Sequence, residues 1–331
     1  MDIFKYYEID KNKFIGTGVN SIVYLGKDKK KKRNVAIKKI TRMGMNDNML
    51  KKLEREIKIM NIIKKNPHEN IITCYDVIDD GMNVFIIMEY CFFGDLSSII
   101  GKPIREVWVQ YYINQLIEAL KHLDKHNILH RDIKPKNILL TNYRKTLKLA
   151  DFGLSKLLTK DMELNTLCGS PLYMAPEIIK KKGNSTRSDI WSIGIITYEL
   201  LFGHHPLNKC EDFRDLINKL FFNKIEIPPS NNKNKISDEC MILLNKLLQK
   251  DPNNRISWND LFNNKWINKI NIKDIEDIPV RVNSSDSLLS LEKKNNEDDE
   301  LEHSKYSITN IESPIISSFN IIDDYIGFPV D

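Results

Sequence analysis

The segment HRDIKPKN at residues 130–137 decides the fold of this chain. It is the second of four short blocks, because VAIK precedes it at residues 35–38, and DFG and APE follow it at residues 151–153 and 175–177. The polar residues of any one block alone could merely cap turns. Chance does not assemble all four in one chain, so the set predicts a functional site.

A glycine-containing stretch, KFIGTGVNSIVYLGK, lies upstream of the four blocks at residues 13–27. Gly16 and Gly18 match the beginning of a G-x-G-x-x-G phosphate loop, but Ser21 stands in the position of the third glycine. Two matching glycines are weak evidence by themselves. The stretch alone is compatible with a nucleotide site, a degenerate one, or a turn between two strands.

The composition is typical of a soluble globular protein, with 29% charged and 41% apolar residues among 331. The N-terminal residues MDIFKYYEIDKNKF mix acids and lysines, and therefore predict neither a secretory signal nor a transit peptide. We expect a cytoplasmic protein.

The apolar run from Ile190 to Gly203 contains Glu199 and is too short for a membrane span, which favours a buried helix. The five scattered cysteines form no C-x-x-C pair, so we expect reduced thiols.

The charge is unevenly distributed along the chain. Residues 283–331 contain 3 Lys/Arg and 11 Asp/Glu, a net charge of −8, so the overall charge of +5 leaves +13 on residues 1–282. The run KDKKKKR at residues 27–33 is the obvious candidate for binding nucleic acid or an acidic partner. No aromatic residue interleaves this run, and it lies between two strand-like segments. A solvated hairpin turn is therefore favoured, and no specific nucleic-acid binding is expected.

Two regions of different secondary structure are predicted. Up to about residue 90, segments rich in β-branched and aromatic residues predict strands, interrupted by one helix at about Asp47–Lys64. The pattern that follows is mostly helical, and Ser, Asn and acids dominate near the C-terminus. We expect an α+β chain with a small β-rich lobe at 1–90, a larger helical lobe at 91–268 and an acidic, mostly disordered tail at 269–331.

The four blocks, in this order and at this spacing, resemble the signature of the protein kinase family. The resemblance covers residues of about 6–268 and implies a bilobal fold with one regulatory helix in the smaller lobe. It also implies transfer of the γ-phosphate of ATP to protein hydroxyl groups, with Mg²⁺ as the cation. Protein substrates are then the expected partners.

The phosphate-binding lysine and its acidic partner follow from this resemblance. Lys38 of VAIK would contact the α- and β-phosphates and needs an anion to hold it. Glu56 in REIKIM matches the family's spacing on the predicted helix, and Glu54 is the alternative. The resemblance also implies a structural pair between Arg255 and Glu177.

The catalytic segment takes its roles from the same resemblance. Asp132 would accept the proton of the substrate hydroxyl, and Lys134 would steady the transferred phosphoryl group. Asn137 and Asp151 would hold Mg²⁺, a hard cation that prefers oxygen ligands. Asp189 would anchor the backbone of the segment. Because these residues are intact, an active enzyme is favoured over a pseudokinase scaffold.

The adenine pocket can be placed in the same way. FIIMEYC at residues 85–91 resembles the last strand of the small lobe entering the hinge, with Met88 as gatekeeper and the backbone of Glu89 and Cys91 as the hydrogen-bonding edge. Apolar side chains would sandwich the ring. The predicted nucleotide-binding residues are Ile15, Gly16, Gly18, Val23, Ala36, Lys38, Met88, Glu89, Cys91 and Leu139.

Two features point to a branch of the family. Lys134 in DIKPKN and Ser170 in GSPLYMAPE resemble serine/threonine kinases rather than tyrosine kinases. TLCGSPLYMAPE at residues 166–177 and MEYCFFGDLSSII at residues 88–100 most resemble the Unc-51-like, autophagy-initiating kinases. The resemblance therefore implies a serine/threonine kinase in autophagy-type signalling.

Regulation by phosphorylation is implied by Arg131, which precedes the predicted catalytic acid. Kinases with this arginine are commonly switched by a phosphate on the activation segment, because an arginine can capture the added charge. Thr166 is the predicted acceptor, and Thr159 and Ser155 are alternatives. An upstream kinase or trans-autophosphorylation would supply the phosphate.

The C-terminal sequence SSFNIIDDYIGFPV places Phe319 and Tyr325 among aliphatic and acidic residues. Residues 319–328 could dock onto a ubiquitin-like autophagy modifier by β-augmentation, or fold back onto the small lobe as a hydrophobic motif. A plain disordered terminus is favoured over either alternative.

Overall fold

The computed structural model describes residues 3–18, 20–158, 169–180, 187–207, 210, 213–223, 225–229 and 235–270. An antiparallel five-stranded sheet forms the N-terminal part, with its strands side by side in the order β1-β2-β3-β5-β4. The strands are β1 (Tyr7–Gly18), β2 (Ser21–Asp28), β3 (Arg33–Thr41), β4 (Cys74–Asp79) and β5 (Asn83–Glu89).

The two faces of this sheet have different environments. On the outer face, a small apolar cluster covers β3, β4 and β5 and also includes Ile3 and, at the start of β1, Tyr7. Its buried members are Ile3, Tyr7, Val35, Ile37, Ile78, Phe85 and Ile87. Because side chains alternate along a strand, Ala36 and Lys38 of β3 face the opposite side, toward the rest of the protein.

One helix, α1 (Asp47–Lys65), lies between β3 and β4 in the chain. Asn46 caps it by accepting a hydrogen bond from the amide of Met49 at 3.0 Å, which satisfies an amide that a helix N-terminus leaves unpaired. The helix is held by apolar burial, because its inward side chains join the main hydrophobic core. These buried side chains are Leu53, Ile59, Met60 and Ile63.

The C-terminal part is mainly helical. Its helices are α2 (Glu106–Lys125), α3 (Pro176–Ile179), α4 (Ser188–Phe202), α5 (Phe213–Phe222), α6 (Asp238–Leu247), α7 (Trp258–Phe262) and α8 (Lys265–Asn268).

The predicted buried helix is confirmed, because every residue of α4 except Phe202 is buried. It ends at Gly203, where φ is 77° and a Cβ would lie 2.7 Å from the backbone of Lys102, so only glycine fits. No helix among the described residues is long and apolar enough to cross a membrane.

Two short antiparallel strand pairs position the catalytic segments. β6 (Ile128–Leu129) pairs with β9 (Lys156–Leu157), and β7 (Ile138–Thr141) pairs with β8 (Thr146–Leu149). The segment at 130–137 joins β6 to β7, and the segment at 150–155 joins β8 to β9. The two pairs therefore bring both segments together, and the amide of Ala150 donates to the carbonyl of Asn137 at 2.8 Å.

The predicted fold class is confirmed. The N-terminal part is rich in β-sheet, the C-terminal part is helical, and the whole is α+β. The lobe boundary predicted near residue 90 stays a prediction. The predicted tail lies, from residue 271 onward, outside the described residues.

Candidate active site

A partly buried lysine and two carboxylates form the first part of the candidate active site. Lys38, on β3, places its Nζ 2.7 Å from Oε1 of Glu56 on α1 and 3.4 Å from Oδ1 of Asp151. Burial lowers the pKa of Lys38, but the two carboxylates outweigh burial and raise the pKa above its ordinary value. Lys38 is therefore a fixed cation. Of the two acids that the sequence offered, Glu56 rather than Glu54 makes this contact.

Asp151 follows β8 in an unusual backbone conformation. Its φ is 60°, in the left-handed region, and its carboxylate accepts a 3.4 Å hydrogen bond from the amide of Gly153. Burial raises the pKa of Asp151, but the charge of Lys38 and the Gly153 amide lower the pKa to below its ordinary value. The side chain is 50% exposed. An ionised carboxylate is thus available to a ligand.

Asp132 has four hydrogen-bond contacts, two for each carboxylate oxygen. Its Oδ1 accepts from the amide and the hydroxyl of Ser170, at 3.1 and 3.0 Å. Its Oδ2 accepts from Nδ2 of Asn137 at 2.9 Å and from Nζ of Lys134 at 2.8 Å. Lys134 also donates to the hydroxyl of Ser170 at 2.7 Å. The structure therefore brings together Asp132, Lys134 and Asn137 of the catalytic segment and Ser170, which lies much later in the chain.

Asp189, at the start of α4, holds the backbone of that segment. Its carboxylate accepts hydrogen bonds from the amides of His130 and Arg131, at 3.3 and 3.2 Å. Arg131 itself has a left-handed φ of 72°, which is uncommon for a residue other than glycine. Burial raises the pKa of Asp189 to about 7. The anchoring contact expected for Asp189 is present in the structure.

His130 supports the same segment in a way that the sequence did not predict. Its ring is fully buried, with Nε2 3.1 Å from the carbonyl of Ala150 and Nδ1 3.4 Å from the amide of Asp132. An imidazole that donates at Nε2 and accepts at Nδ1 is neutral, and burial lowers its pKa. The ring also packs on Phe152, with centroids 5.1 Å apart. His130 therefore ties the Asp132 segment to the Asp151 segment.

The sheet register places several predicted nucleotide-binding residues on one face. Val23 lies opposite both Gly16 and Lys38, and Ala36 lies opposite Met88. Cross-strand partners project to the same side of a sheet, and residues two apart on a strand do so too. These five residues therefore share the face that carries the Lys38 ammonium.

The remaining pocket positions lie around that face. Leu139, on β7, forms a bridge with Asp95, which follows the connection leaving β5. This bridge holds the connection through Glu89 and Cys91 close to β7. Ile15 lies on β1 where the β1–β2 register is interrupted, and it is 37% exposed. That these positions line a nucleotide pocket stays a prediction.

The glycine-containing stretch forms the hairpin between β1 and β2. Gly18 lies opposite Ser21, and a Cβ at Gly18 would lie 2.7 Å from the Ser21 hydroxyl oxygen. A Cβ at Gly16 would make only an ordinary contact with Val23, at 3.6 Å. Strands stand on both sides of this turn, so it is not the strand-to-helix loop of a dinucleotide fold. The Ser21 side chain occupies the space above Gly18.

The side chain of Glu89 has a structural role that the sequence did not reveal. Its carboxylate accepts hydrogen bonds from the amide and the hydroxyl of Thr73, both at 3.1 Å. It also lies 2.9 Å from Nζ of Lys148 on β8. The end of β5 is thereby tied to β8, the strand that precedes Asp151. Thr73, Glu89 and Lys148 are far apart in the chain, and no sequence motif predicted that they are in contact.

The fit of a Mg²⁺ ion depends on Asn137 and Asp151. Nδ2 of Asn137 donates to Asp132, so its amide oxygen is directed elsewhere and can serve as a ligand. Among the described residues, no group of three or more His, Cys, Asp or Glu side chains could hold a metal ion. Two protein oxygens fit a cation that takes its other ligands from phosphate and water. The residues present therefore suit Mg²⁺ bound together with a nucleotide.

The expected structural ion pair is present in the helical part. Arg255 makes a two-point contact with Glu177 on α3, at 2.7 and 2.9 Å. The Arg255 side chain is fully buried and that of Glu177 is 7% exposed. Arg255 also donates to the carbonyls of Gln249 and Arg187, at 2.9 and 2.8 Å. This network joins the chain before α4 to the turn that precedes α7.

Of the three predicted phosphorylation sites, Ser155 lies within the part of the chain that the structure describes. Thr166 and Thr159 lie outside the described residues. Ser155 is 2% exposed, and its hydroxyl donates to the carbonyl of His130 at 3.1 Å. As a correction to the sequence-based alternatives, Ser155 is therefore shielded from a modifying enzyme in this conformation. Residues 319–328 also lie outside the described part of the chain.

The protein kinase domain family matches residues 9–267 of this chain. A putative serine/threonine-protein kinase R517/R518 of Acanthamoeba polyphaga mimivirus is 42% identical over 282 residues, which cover 76% of this chain and 61% of that protein. Serine/threonine-protein kinase atg1 of Dictyostelium discoideum is 39% identical, over 79% of this chain and 39% of the other. ULK3 of Rattus norvegicus is 38% identical, with coverages of 80% and 54%.

This chain thus spans about two fifths to three fifths of the length of the curated relatives it matches. All three are named serine/threonine kinases, and the predicted resemblance to the Unc-51-like group is confirmed by the similarity to atg1 and ULK3. Together with the contacts around Lys38 and Asp132, the match over residues 9–267 shows that the chain belongs to the protein kinase family.

Proposed function

We propose that this chain transfers the γ-phosphate of ATP to serine or threonine hydroxyl groups of proteins, with Mg²⁺ as the required cation. The contact of Lys38 with both Glu56 and Asp151 carries this proposal. It places a fixed cation beside a half-exposed carboxylate, on the sheet face that carries the predicted nucleotide-binding positions. Mg²⁺ held by Asp151 and Asn137 would neutralise charge on the phosphates.

The hydrogen bonds of Asp132 favour a specific role for Lys134. A carboxylate offers about four lone-pair sites, and all four are used here by Ser170, Asn137 and Lys134. A substrate hydroxyl can reach Oδ2 only when one donor leaves. Lys134 is the mobile donor, because an ammonium on a flexible stem is attracted to phosphate oxygens. Nucleotide binding would draw Lys134 away and leave Oδ2 to accept the hydroxyl proton.

Radiolabelled phosphate transfer to a generic protein substrate tests this function. We expect transfer by the wild-type chain and a rate about 10²- to 10⁴-fold lower for Asp132→Asn, because the proton acceptor is lost. Nucleotide binding, followed by thermal shift with an ATP analogue, should persist in both. A wild-type chain that binds ATP but transfers no phosphate, even with Thr166 phosphorylated, would instead be a pseudokinase scaffold.

We propose phosphorylation of Thr166 as the activating step, supplied by an upstream kinase or by trans-autophosphorylation. The support comes from Arg131, whose position beside Asp132 would let a captured phosphate order the catalytic segment. Activity should fall on phosphatase treatment and stay low in Thr166→Ala. Phosphatase-insensitive activity would show that Thr166 is not a switch.

We also propose a role in autophagy-type signalling in the cytoplasm. The support is the resemblance of residues 166–177 to the Unc-51-like kinases and the similarity to atg1 and ULK3. Peptide-library phosphorylation tests the branch, since a proline-directed or basic-directed preference would count against it. Binding of a ubiquitin-like modifier through residues 319–328 would be lost in Phe319→Ala.

A further inference from the structure

A basic surface lies at the end of the sheet that is farthest from the glycine-containing hairpin. It consists of Lys5 and Lys29–Lys32 and is called the hairpin patch here. β2 runs from Ser21, at the glycine hairpin, to Asp28, beside the patch. Seven steps of about 3.3 Å separate the two ends by about 23 Å. A ligand on the hairpin patch would therefore leave the proposed nucleotide site open.

The turn between β2 and β3 holds the lysines outward. The carboxylate of Asp28 accepts hydrogen bonds from the amides of Lys30 and Lys31, at 3.1 and 3.0 Å, and lies 3.5 Å from Nε of Arg33. Asp28 is 7% exposed, whereas the side chains of Lys29–Lys32 are exposed. The carboxylate of Asp28 is thus used within the turn itself, and the four lysines beside it are exposed to solvent.

The N-terminal residues add aromatic surface to the hairpin patch. The amide of Lys29 donates to the carbonyl of Tyr6 at 3.0 Å, and its Nζ donates to the carbonyl of Phe4 at 2.7 Å. Burial of Ile3 in the outer-face cluster fixes the segment from the other side. Phe4 and Tyr6 are 53% and 41% exposed, and Nζ of Lys5 lies 5.4 Å from the Tyr6 ring centre.

We propose that the acidic segment at residues 297–302 of this same chain, EDDELE, docks on the hairpin patch. The segment offers five carboxylates and one leucine within six residues, and it matches five lysines flanked by two aromatic rings. Adjacent like charges on a hairpin repel one another, and a bound anionic segment removes that cost. The segment belongs to the part of the chain with net charge −8, and the patch to the part with +13.

The length of the chain allows this contact. Residues 271–296 separate the last described residue, Ile270, from the acidic segment. A flexible chain of this length would have a root-mean-square span of about 28 Å and a maximum reach of about 90 Å. A folded domain of this size has a radius of gyration of only about 18 Å. Covalent linkage gives the segment a roughly millimolar effective concentration, which favours it over acidic partners in solution.

Zero-length carbodiimide crosslinking of the dilute full chain, followed by peptide mass spectrometry, tests the contact. We expect crosslinks within one chain between residues 297–302 and the hairpin patch, and their loss in about 0.5 M NaCl because salt screens exposed charges. Exposed lysines elsewhere serve as the reference: Lys51, Lys52, Lys125 and Lys246. Equal crosslinking to this reference set, or crosslinks only between two chains, would overturn the proposal.

Tryptic cleavage after Lys293 and Lys305, which flank the segment, gives a second test. Replacing Lys29–Lys32 by Gln should speed this cleavage at least fivefold in the full chain. The matched replacement of the four reference lysines should leave the cleavage rate unchanged. Thermal shift with a nucleotide analogue verifies that both variants are folded. Equal cleavage rates in both variants would overturn the proposal.

An anionic membrane is the alternative ligand for such a basic surface. Flotation with phosphatidylcholine vesicles that contain phosphatidylserine tests whether the hairpin patch binds a membrane instead of the acidic segment. The docked segment should keep the wild-type chain off the vesicles. If the wild-type chain floats with these vesicles through Lys29–Lys32, the hairpin patch binds an anionic membrane and the proposal is wrong.

Discussion

Nζ of Lys38 and Oε1 of Glu56 lie 2.7 Å apart and join β3 to α1. Lys38 is held by the hydrogen bonds of the sheet, whereas Glu56 stands on a helix that is positioned by apolar packing. Any displacement of α1 would separate the two charges and release Lys38 toward Asp151. The position of α1 therefore determines whether the ammonium group of Lys38 is held in place for phosphate binding.

Glu56→Gln should lower kcat/KM for ATP by about 10- to 100-fold. The change keeps the shape of the side chain but loses a hydrogen bond between charged groups, which contributes roughly 1.5–3 kcal/mol. Steady-state phosphorylation at varied ATP concentrations measures the effect. Glu54→Gln, on the same helix, is the matched control and should behave like the wild type. Equal losses in both variants would show that helix charge, and not the contact with Lys38, is responsible.

His205 should make the stability of the fold depend on pH. Its Nε2 lies 3.0 Å from the carbonyl of Leu172, and its Nδ1 accepts from the amide of Leu207 at 3.0 Å, so the buried ring is neutral. Burial lowers its pKa to about 4. Between about pH 6.5 and pH 4 the unfolded chain binds a proton that the folded chain does not. The free energy of unfolding should therefore fall as the pH falls through this window, by roughly 3 kcal/mol in total.

Urea unfolding of the wild type and His205→Asn at a series of pH values measures this contribution. The variant should be less stable at pH 7 but should lose less stability between pH 6.5 and pH 4. Glu199 acts in the opposite sense, because burial raises its pKa to about 7 and its ionisation costs stability as the pH rises. Glu199 is present in both proteins, so the difference isolates His205. Parallel pH curves would contradict the assignment.

Arg255→Met should destabilise the helical part strongly. It leaves the buried carboxylate of Glu177 without its two-point partner, at a cost of about 3–5 kcal/mol. The melting temperature, measured by calorimetry, should fall by roughly 10 °C. Arg42→Met is the control, because Arg42 contacts Asp79 at 2.6 Å on the surface and such pairs contribute about 0–1 kcal/mol. Similar melting temperatures for the two variants would argue against a structural role of the buried pair.

Ser21→Gly should lower the apparent KM for ATP a few-fold and leave kcat nearly unchanged. The Ser21 side chain lies above Gly18, and a glycine would give the hairpin more freedom to adapt to phosphates. ATP titrations of initial rates measure the change. Ser21→Ala separates the effect of the missing hydroxyl from that of the freer backbone. An unchanged KM in Ser21→Gly would mean that serine is simply a permitted variant at this position.

Much of the candidate site could be predicted because its residues occur in short contiguous blocks. Asp132, Lys134 and Asn137 lie within six residues, so the local backbone alone keeps them near one another. Segments rich in β-branched and aromatic residues likewise predicted the strands around Lys38, and a continuous apolar run predicted the buried helix α4. The resemblance then supplied the roles, and the match to the protein kinase domain family confirmed the family.

Contacts between distant residues could not be predicted in this way. The sequence favoured Glu56 over Glu54 only through the spacing typical of the family, and the orientation of α1 on the core brings Glu56 to Lys38. The buried ring of His130 and the contact of Glu89 with Thr73 and Lys148 carry no local signal. Their partners become neighbours only after the chain has folded.

The sequence by itself determined the family, the order of the catalytic blocks and the division into sheet and helices, since each depends on residues close together in the chain. Only the tertiary structure decided that Lys38 also contacts Asp151, which donors bind each oxygen of Asp132, and that Ser155 is buried. It also decided that Lys29–Lys32 stand beside two exposed aromatic rings. The physical reason is that packing sets distances between side chains that sequence separation does not encode.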